Sequence, residues 1–139
     1  MGDCYRFAYY PGDKRWAGVY WVYPANNWGS RAGRRIEGKR FNKVRFFAAS
    51  ATPDLLIGFY VGNISDSSLP HRDRVAGSTI VRIDTEWTPI EINVSGEDFD
   101  ELLGAFAWSL AYPEDWDGET PVVLYLDDLV WDTEPIAQD

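Results

Sequence analysis

Between Trp16 and Trp28 the chain places five of its 22 aromatic side chains within thirteen residues, then closes the run with Pro24-Ala25-Asn26-Asn27-Trp28-Gly29. Indole and phenol rings offer wide apolar faces at small entropic cost, and Asn offers both donors and acceptors. Held together, these side chains suit a flat, hydroxylated ligand such as a sugar ring, with Asn26 and Asn27 setting its orientation. The same strand could also serve as the centre of a β-core. With a period of two, Val19, Trp21 and Tyr23 share one face and Tyr20 and Val22 the other, and only one set can enter any one core. Trp28 sits in the turn between Asn27 and Gly29, where packing has little use for a large ring, and points to surface recognition.

Other chemistries have fewer residues to draw on. A Ser-His-Asp hydrolase would need His71, the only histidine, beside a nucleophile, whereas a lone histidine in a Pro-His-Arg-Asp loop reads as solvated. One histidine and one cysteine cannot build a metal centre from those ligands. Glu114, Asp115, Asp117 and Glu119 surround Trp116, and two carboxyls facing across a cleft could hydrolyse a glycoside; otherwise they keep a loop wet. Asp127 and Asp128 interrupt an apolar run, Val122 to Trp131. Either a bound calcium offsets their desolvation, or one faces solvent while the other caps or pairs with an Arg. No glycine-rich phosphate loop is present.

At 139 residues the chain reads as one domain, and 45% hydrophobic content with 16% aromatics indicates a folded, β-leaning composition. No run of eighteen apolar residues is available for a membrane span. The first residues lack the basic start and apolar core of a secretory signal, and Cys4, the single cysteine, has no internal disulfide partner. A net charge of -9 argues against nucleic acid. Thirteen Lys and Arg against six acids precede Asp84, and sixteen acids with no base follow from there. Interleaved strands would pair these halves; alternatively the cluster from Arg31 to Arg45 forms a basic face for an anionic polymer.

Eight strands are expected: 4–10, 17–23, 43–49, 55–61, 78–84, 88–94, 104–111 and 121–131. Pro89 marks an edge strand or a strand start. The strand 104–111 is small on one face (Ala105, Ala107, Ser109) and bulky on the other (Phe106, Trp108, Leu110). The segments 26–38 and 62–77 are expected to be long loops, and one short helical turn is expected at 99–103. The fold class is all-β, an antiparallel sandwich or jelly roll with minimal helix.

The run Trp16 to Gly29, the strand Val44 to Ala48, the segment Phe59 to Ile64, the strand Glu86 to Ile92 and the ending Leu124 to Leu129 together resemble bacterial carbohydrate-binding-module-like domains of the galactose-binding jelly-roll type. The resemblance runs from about Trp16 to Trp131; the chain 1–139 is expected to be a single non-catalytic domain, either truncated at its amino terminus or excised from a larger secreted or cell-surface protein in which it is linked to a catalytic domain. The resemblance implies a polysaccharide ligand, of which plant cell-wall β-glucan such as cellulose is the expected kind. The implied stacking residues are Trp16, Trp21, Tyr23, Trp28, Trp108 and Trp116, with Arg45 nearby. A structural calcium held by Asp127 or Asp128 is implied as well. The alternatives are a glycoside-active enzyme using Glu114 to Glu119 and a protein-interaction or adhesion module with a flat apolar patch.

Overall fold

Alternating apolar side chains organise the chain into strands whose inner residues share one core. A computed structural model describes residues 4–10, 16–35, 41–73, 75–94, 101–111 and 120–132. Its strands are β1 (Tyr5–Tyr9), β2 (Trp16–Val22), β3 (Arg34–Arg35), β4 (Lys43–Ser50), β5 (Leu55–Gly62), β6 (Ala76–Ile83), β7 (Thr88–Asn93), β8 (Glu101–Leu102), β9 (Gly104–Ala111) and β10 (Val122–Asp132). One sheet has the order β1-β10-β4-β7, the other β2-β9-β5-β6, and all pairs are antiparallel. Apart from the β5–β6 hairpin, successive long strands alternate between the sheets, which is jelly-roll winding. Among the described residues no helix is long and apolar enough to cross a membrane.

The eight expected strands match the eight long ones, and β7, which carries Pro89, lies at a sheet edge. Period-two burial explains the match. Val44, Phe46 and Ala48 of β4 meet Ile57 and Phe59 of β5, Phe106 and Trp108 of β9, and Leu124 and Leu126 of β10 in one core. The Phe46 ring lies 4.8 Å from Phe59 and 5.1 Å from Phe106, both edge-on. Each such fully buried side chain contributes about 1.5–3 kcal/mol.

The helical turn expected at 99–103 gives way to strand where it is described. Glu101 and Leu102 form β8 and pair with Arg35 and Arg34 of β3. The Glu101 carboxylate accepts the Gly33 N–H and pairs with His71 Nδ1 at 2.9 Å, while Leu102 and Leu103 are buried, so tertiary contacts override a weak local preference. Charge pairing follows the interleaving of the two halves. Lys43 Nζ lies 3.1 Å from Glu91, and Arg45 Nε 2.7 Å from Asp132.

Candidate ligand-binding trough

The outward residues of the second sheet line up in rows across its strands. Register places Gly18 of β2 beside Ser109 of β9, Ser109 beside Gly58 of β5, and Gly58 beside Ile80 of β6. The next outward row is Tyr20, Ala107, Tyr60 and Ser78. Trp16 leads the row on the other side, opposite Ala111. Small side chains therefore form a valley across the strands, with rings standing beside it. With neighbouring strands about 4.8 Å apart, the Gly18–Ser109–Gly58 floor runs roughly 10 Å.

The resulting hollow is about 530 Å³ and is bordered by Trp16, Gly18, Tyr20, Trp28, Tyr60 and Ser109. A shallower depression of about 320 Å³ shares Trp16, Tyr60 and Ser109 and continues towards Leu56 and Ile80. Trp16 is 61% exposed and Trp28 50%, so both rings keep accessible surface. The Tyr60 hydroxyl leans over Gly58, where no Cβ obstructs it, and accepts a hydrogen bond from Ser109 Oγ at 3.3 Å.

Tyr20 is pinned at both ends. Its hydroxyl donates to the Gly62 carbonyl, and its ring passes over Gly104, where a Cβ would lie 2.6 Å from Tyr20 Cε1. Burial, and then the nearby Asp73 charge, push its pKa up to about 12, so the hydroxyl stays a neutral donor. The Trp28 ring meets Tyr20 edge-on, with centroids 5.4 Å apart.

The turn that presents Trp28 is organised by Asn27, which is fully buried. Its amide nitrogen donates to the Tyr23 and Arg31 carbonyls at 3.0 and 2.9 Å, and its oxygen accepts the Gly29 and Arg31 N–H groups, each at 3.1 Å. Gly29 adopts a φ of 125°, a region closed to most side chains, and its carbonyl accepts the His71 N–H at 2.9 Å. The loops 23–33 and 63–75 are thereby tied together beside the trough.

Asp73 lies beneath this corner, buried. Its carboxylate accepts backbone N–H groups from Leu103 at 2.6 Å, Gly104 at 2.9 Å and Ile64 at 3.3 Å. Burial raises its pKa above the ordinary carboxylate value, partly opposed by those three donors, while Glu101 adds to the rise.

Of the residues expected at the site, the trough gathers Trp16 and Trp28 as accessible rings. Trp21 turns inward instead, with its ring 5.7 Å from Phe7 and 5.5 Å from Phe106, because Ala17, Val19 and Trp21 are the set the core selects. Trp108 is 1% exposed and its ring packs edge-on to Phe7 and Tyr9, so it supports the floor from below. Asn27 spends its amide on the turn and has none of it left for a ligand. Tyr23 and Asn26 are exposed but do not border the trough; a register shift after Trp21 takes Tyr23 out of the strand, and Asn26 has a φ of 63°. Arg45 belongs to the opposite sheet, paired with Asp132. Trp116 and the acids from Glu114 to Glu119 lie outside the described residues.

Asp127 and Asp128 occupy a bulge in β10. Asp128 has a φ of 54° and donates its N–H to Asp127 Oδ1 at 2.8 Å, while the buried Asp127 Oδ2 has no hydrogen-bond partner. That orphaned oxygen could face a cation, but among the described residues no group of three His, Cys, Asp or Glu converges.

Two wall residues, Tyr20 and Tyr60, escape the sequence reading. The signal available was the outward spacing of Trp16, Gly18 and Tyr20, and the hydroxyl of Tyr60 in an otherwise apolar strand. Neither signal reveals a wall until the register sets Ala107 and Ser109 between them.

No protein-family model and no curated protein sequence matches the chain. Its fold does match solved structures. A crystal structure of a family 30 carbohydrate binding module superposes with a TM-score of 0.52 at 13% identity, covering 91% of this chain and 73% of that one. A second crystal structure of a family 30 module gives a TM-score of 0.54 at 13% identity, covering 98% of this chain and 71% of that one. The chain is thus an antiparallel β-sandwich similar in fold to family 30 carbohydrate binding modules.

Proposed function

We propose that this domain is a non-catalytic carbohydrate-binding module and that its ligand lies in the trough of the second sheet, against Trp16, Trp28 and Tyr60. The observation that carries the reading is the valley itself: accessible indoles beside a Gly18–Ser109 floor, with Tyr60 lying over Gly58, on a fold shared with carbohydrate binding modules. Sugar rings with equatorial hydroxyls present flat C–H faces to such rings, and the Ser109 and Tyr60 hydroxyls can exchange hydrogen bonds with them. Plant cell-wall β-glucan is the polymer class that suits an open valley of this kind. The module serves a longer secreted or cell-surface protein by holding a catalytic domain near its substrate. Affinity is modest, about -8 kcal/mol or weaker, because an open site competes with water for each hydroxyl.

Affinity electrophoresis and pull-down against cellulose, xylan, β-glucan, mannan, pectin and alginate test the reading, with reducing-sugar release followed in parallel. The expected result is retention on β-glucan, lost in Trp16→Ala and Trp28→Ala, with no sugar released. Release of sugar that ceases when Glu114 or Glu119 is replaced by Gln would establish an enzyme instead. Retention on no polymer would return the apolar face to the interaction-module reading.

A further inference from the structure

We infer that Asp73, which does not border the trough, is the positioning residue for its aromatic wall. The inference rests on the trough being the ligand site. Two contacts hold Tyr20 in place, the Gly62 carbonyl on its hydroxyl and the close passage of its ring over Gly104. Both contacts hang on segments that the Asp73 carboxylate gathers. It accepts the N–H of Gly104 itself and of its neighbour Leu103, and it accepts the N–H of Ile64, two residues beyond Gly62. The Asp73 N–H in turn donates to the Ile64 carbonyl at 2.6 Å, closing the loop after β5 on itself.

The same short stretch reaches Trp28. His71, two residues before Asp73, donates its N–H to the carbonyl of Gly29, the residue after Trp28. Tyr20 supplies the edge-on contact that sets the angle of the Trp28 ring. One buried carboxylate therefore fixes the backbone against which both rings are registered. Only an ionised or strongly accepting group can satisfy three N–H donors at once, and a neutral amide at this position turns an NH2 towards some of them. Released from that hold, Gly104 and Ile64 can shift by a few tenths of an ångström, and Tyr20 and Trp28 shift with them.

A double-mutant cycle with cellohexaose as the probe, read by titration calorimetry, tests this route. Asp73→Asn should weaken binding by about tenfold, the scale of one lost charge-assisted hydrogen bond. In the Tyr20→Leu background the same substitution should change affinity by less than twofold, because Tyr20 is both the ring that Asp73 holds and the contact that sets Trp28. The Trp28 indole N–H resonance should move in Asp73→Asn towards its position in Tyr20→Leu, while that of core Trp108 stays put. Gly104→Ala keeps the Asp73 charge and displaces Tyr20 from the other side; it should reproduce the same pattern if Asp73→Asn does not fold. Wild-type affinity in both variants, or an equal loss in the Tyr20→Leu background, would overturn the inference. If the wild type binds no glycan, the functional reading falls, and the indole shift still decides whether Asp73 positions Trp28.

Discussion

The two outer faces of the sandwich are built on one core by one alternation, yet they carry opposite surfaces. On the first sheet the outward side chains of β4 are Lys43, Arg45, Phe47 and Ala49, of which Lys43 pairs with Glu91 of β7 and Arg45 with Asp132 of β10. On the second sheet the outward row is Gly18, Ser109 and Gly58, between Trp16 on one side and Tyr20 and Tyr60 on the other. The core constrains only alternate residues, so outward positions are free to specialise. Charge pairs occupy the Lys43–Arg45 end of the first face, whereas small residues on the second leave a hollow with rings at its border. Aromatic content alone does not separate the faces: Trp87 is also exposed and meets Tyr125 of β10 at 6.4 Å.

The largest effect should remove both faces together. Phe46→Ala empties the meeting point of Phe46, Phe59 and Phe106 and should lower stability by about 3–5 kcal/mol in urea titration. The comparison is sharpened next by single rings. Trp28→Ala should weaken glycan binding by about 2 kcal/mol, and Trp87→Ala should leave it unchanged; loss of binding in the second variant would break the contrast. Glu91→Gln on the first face should lower stability by about 1 kcal/mol, less at high salt, with glycan affinity unaltered, because it leaves the Lys43 ammonium without that partner.

The last expected effect is on pH dependence. Tyr20 keeps its proton to about 12 in the fold, whereas an unfolded phenol ionises near 10. Over that window the folded state binds more protons, so this contribution is intact below about 10 and is lost as pH rises towards 12. Urea titrations across that range should show an alkaline fall in stability that Tyr20→Phe flattens. Asp73, also raised, has the same sign at the acid end: its contribution falls as pH rises through the interval above 3.8. Asp73→Asn should remove that slope.

Much of the architecture was legible in the chain, and particular residues show why. Val44, Phe46 and Ala48 share one face of a period-two run, so β4 and its burial could be read directly, and Pro89 marked β7 as an edge strand or a strand start. Trp16 and Trp28 could be singled out because a strand start and an Asn-rich turn offer large rings little to pack against. Trp21 and Tyr20 could not be sorted in the same way. Alternation says that they oppose each other, but which one enters the core depends on Phe7 and Phe106, far away in sequence. Asn27 was misjudged for a related reason: an Asn beside a Trp in a turn can serve a ligand or its own backbone, and only the loop geometry assigns its hydrogen bonds.

By itself, then, the sequence determined the class of fold, the eight long strands and the two-sided alternation along them, because these follow from local pattern and from turn residues a few positions apart. Opposite charges in the two halves left two readings open, and pairing between interleaved strands is the one seen at Lys43–Glu91 and Arg45–Asp132. The valley of Gly18, Ser109 and Gly58, the Tyr20–Tyr60 wall and the Asp73 carboxylate beneath it were decided by tertiary structure alone. Each joins residues some 30 to 90 positions apart through cross-strand register or buried backbone hydrogen bonds. Register across a sheet is a property of several strands at once, and no single segment contains it.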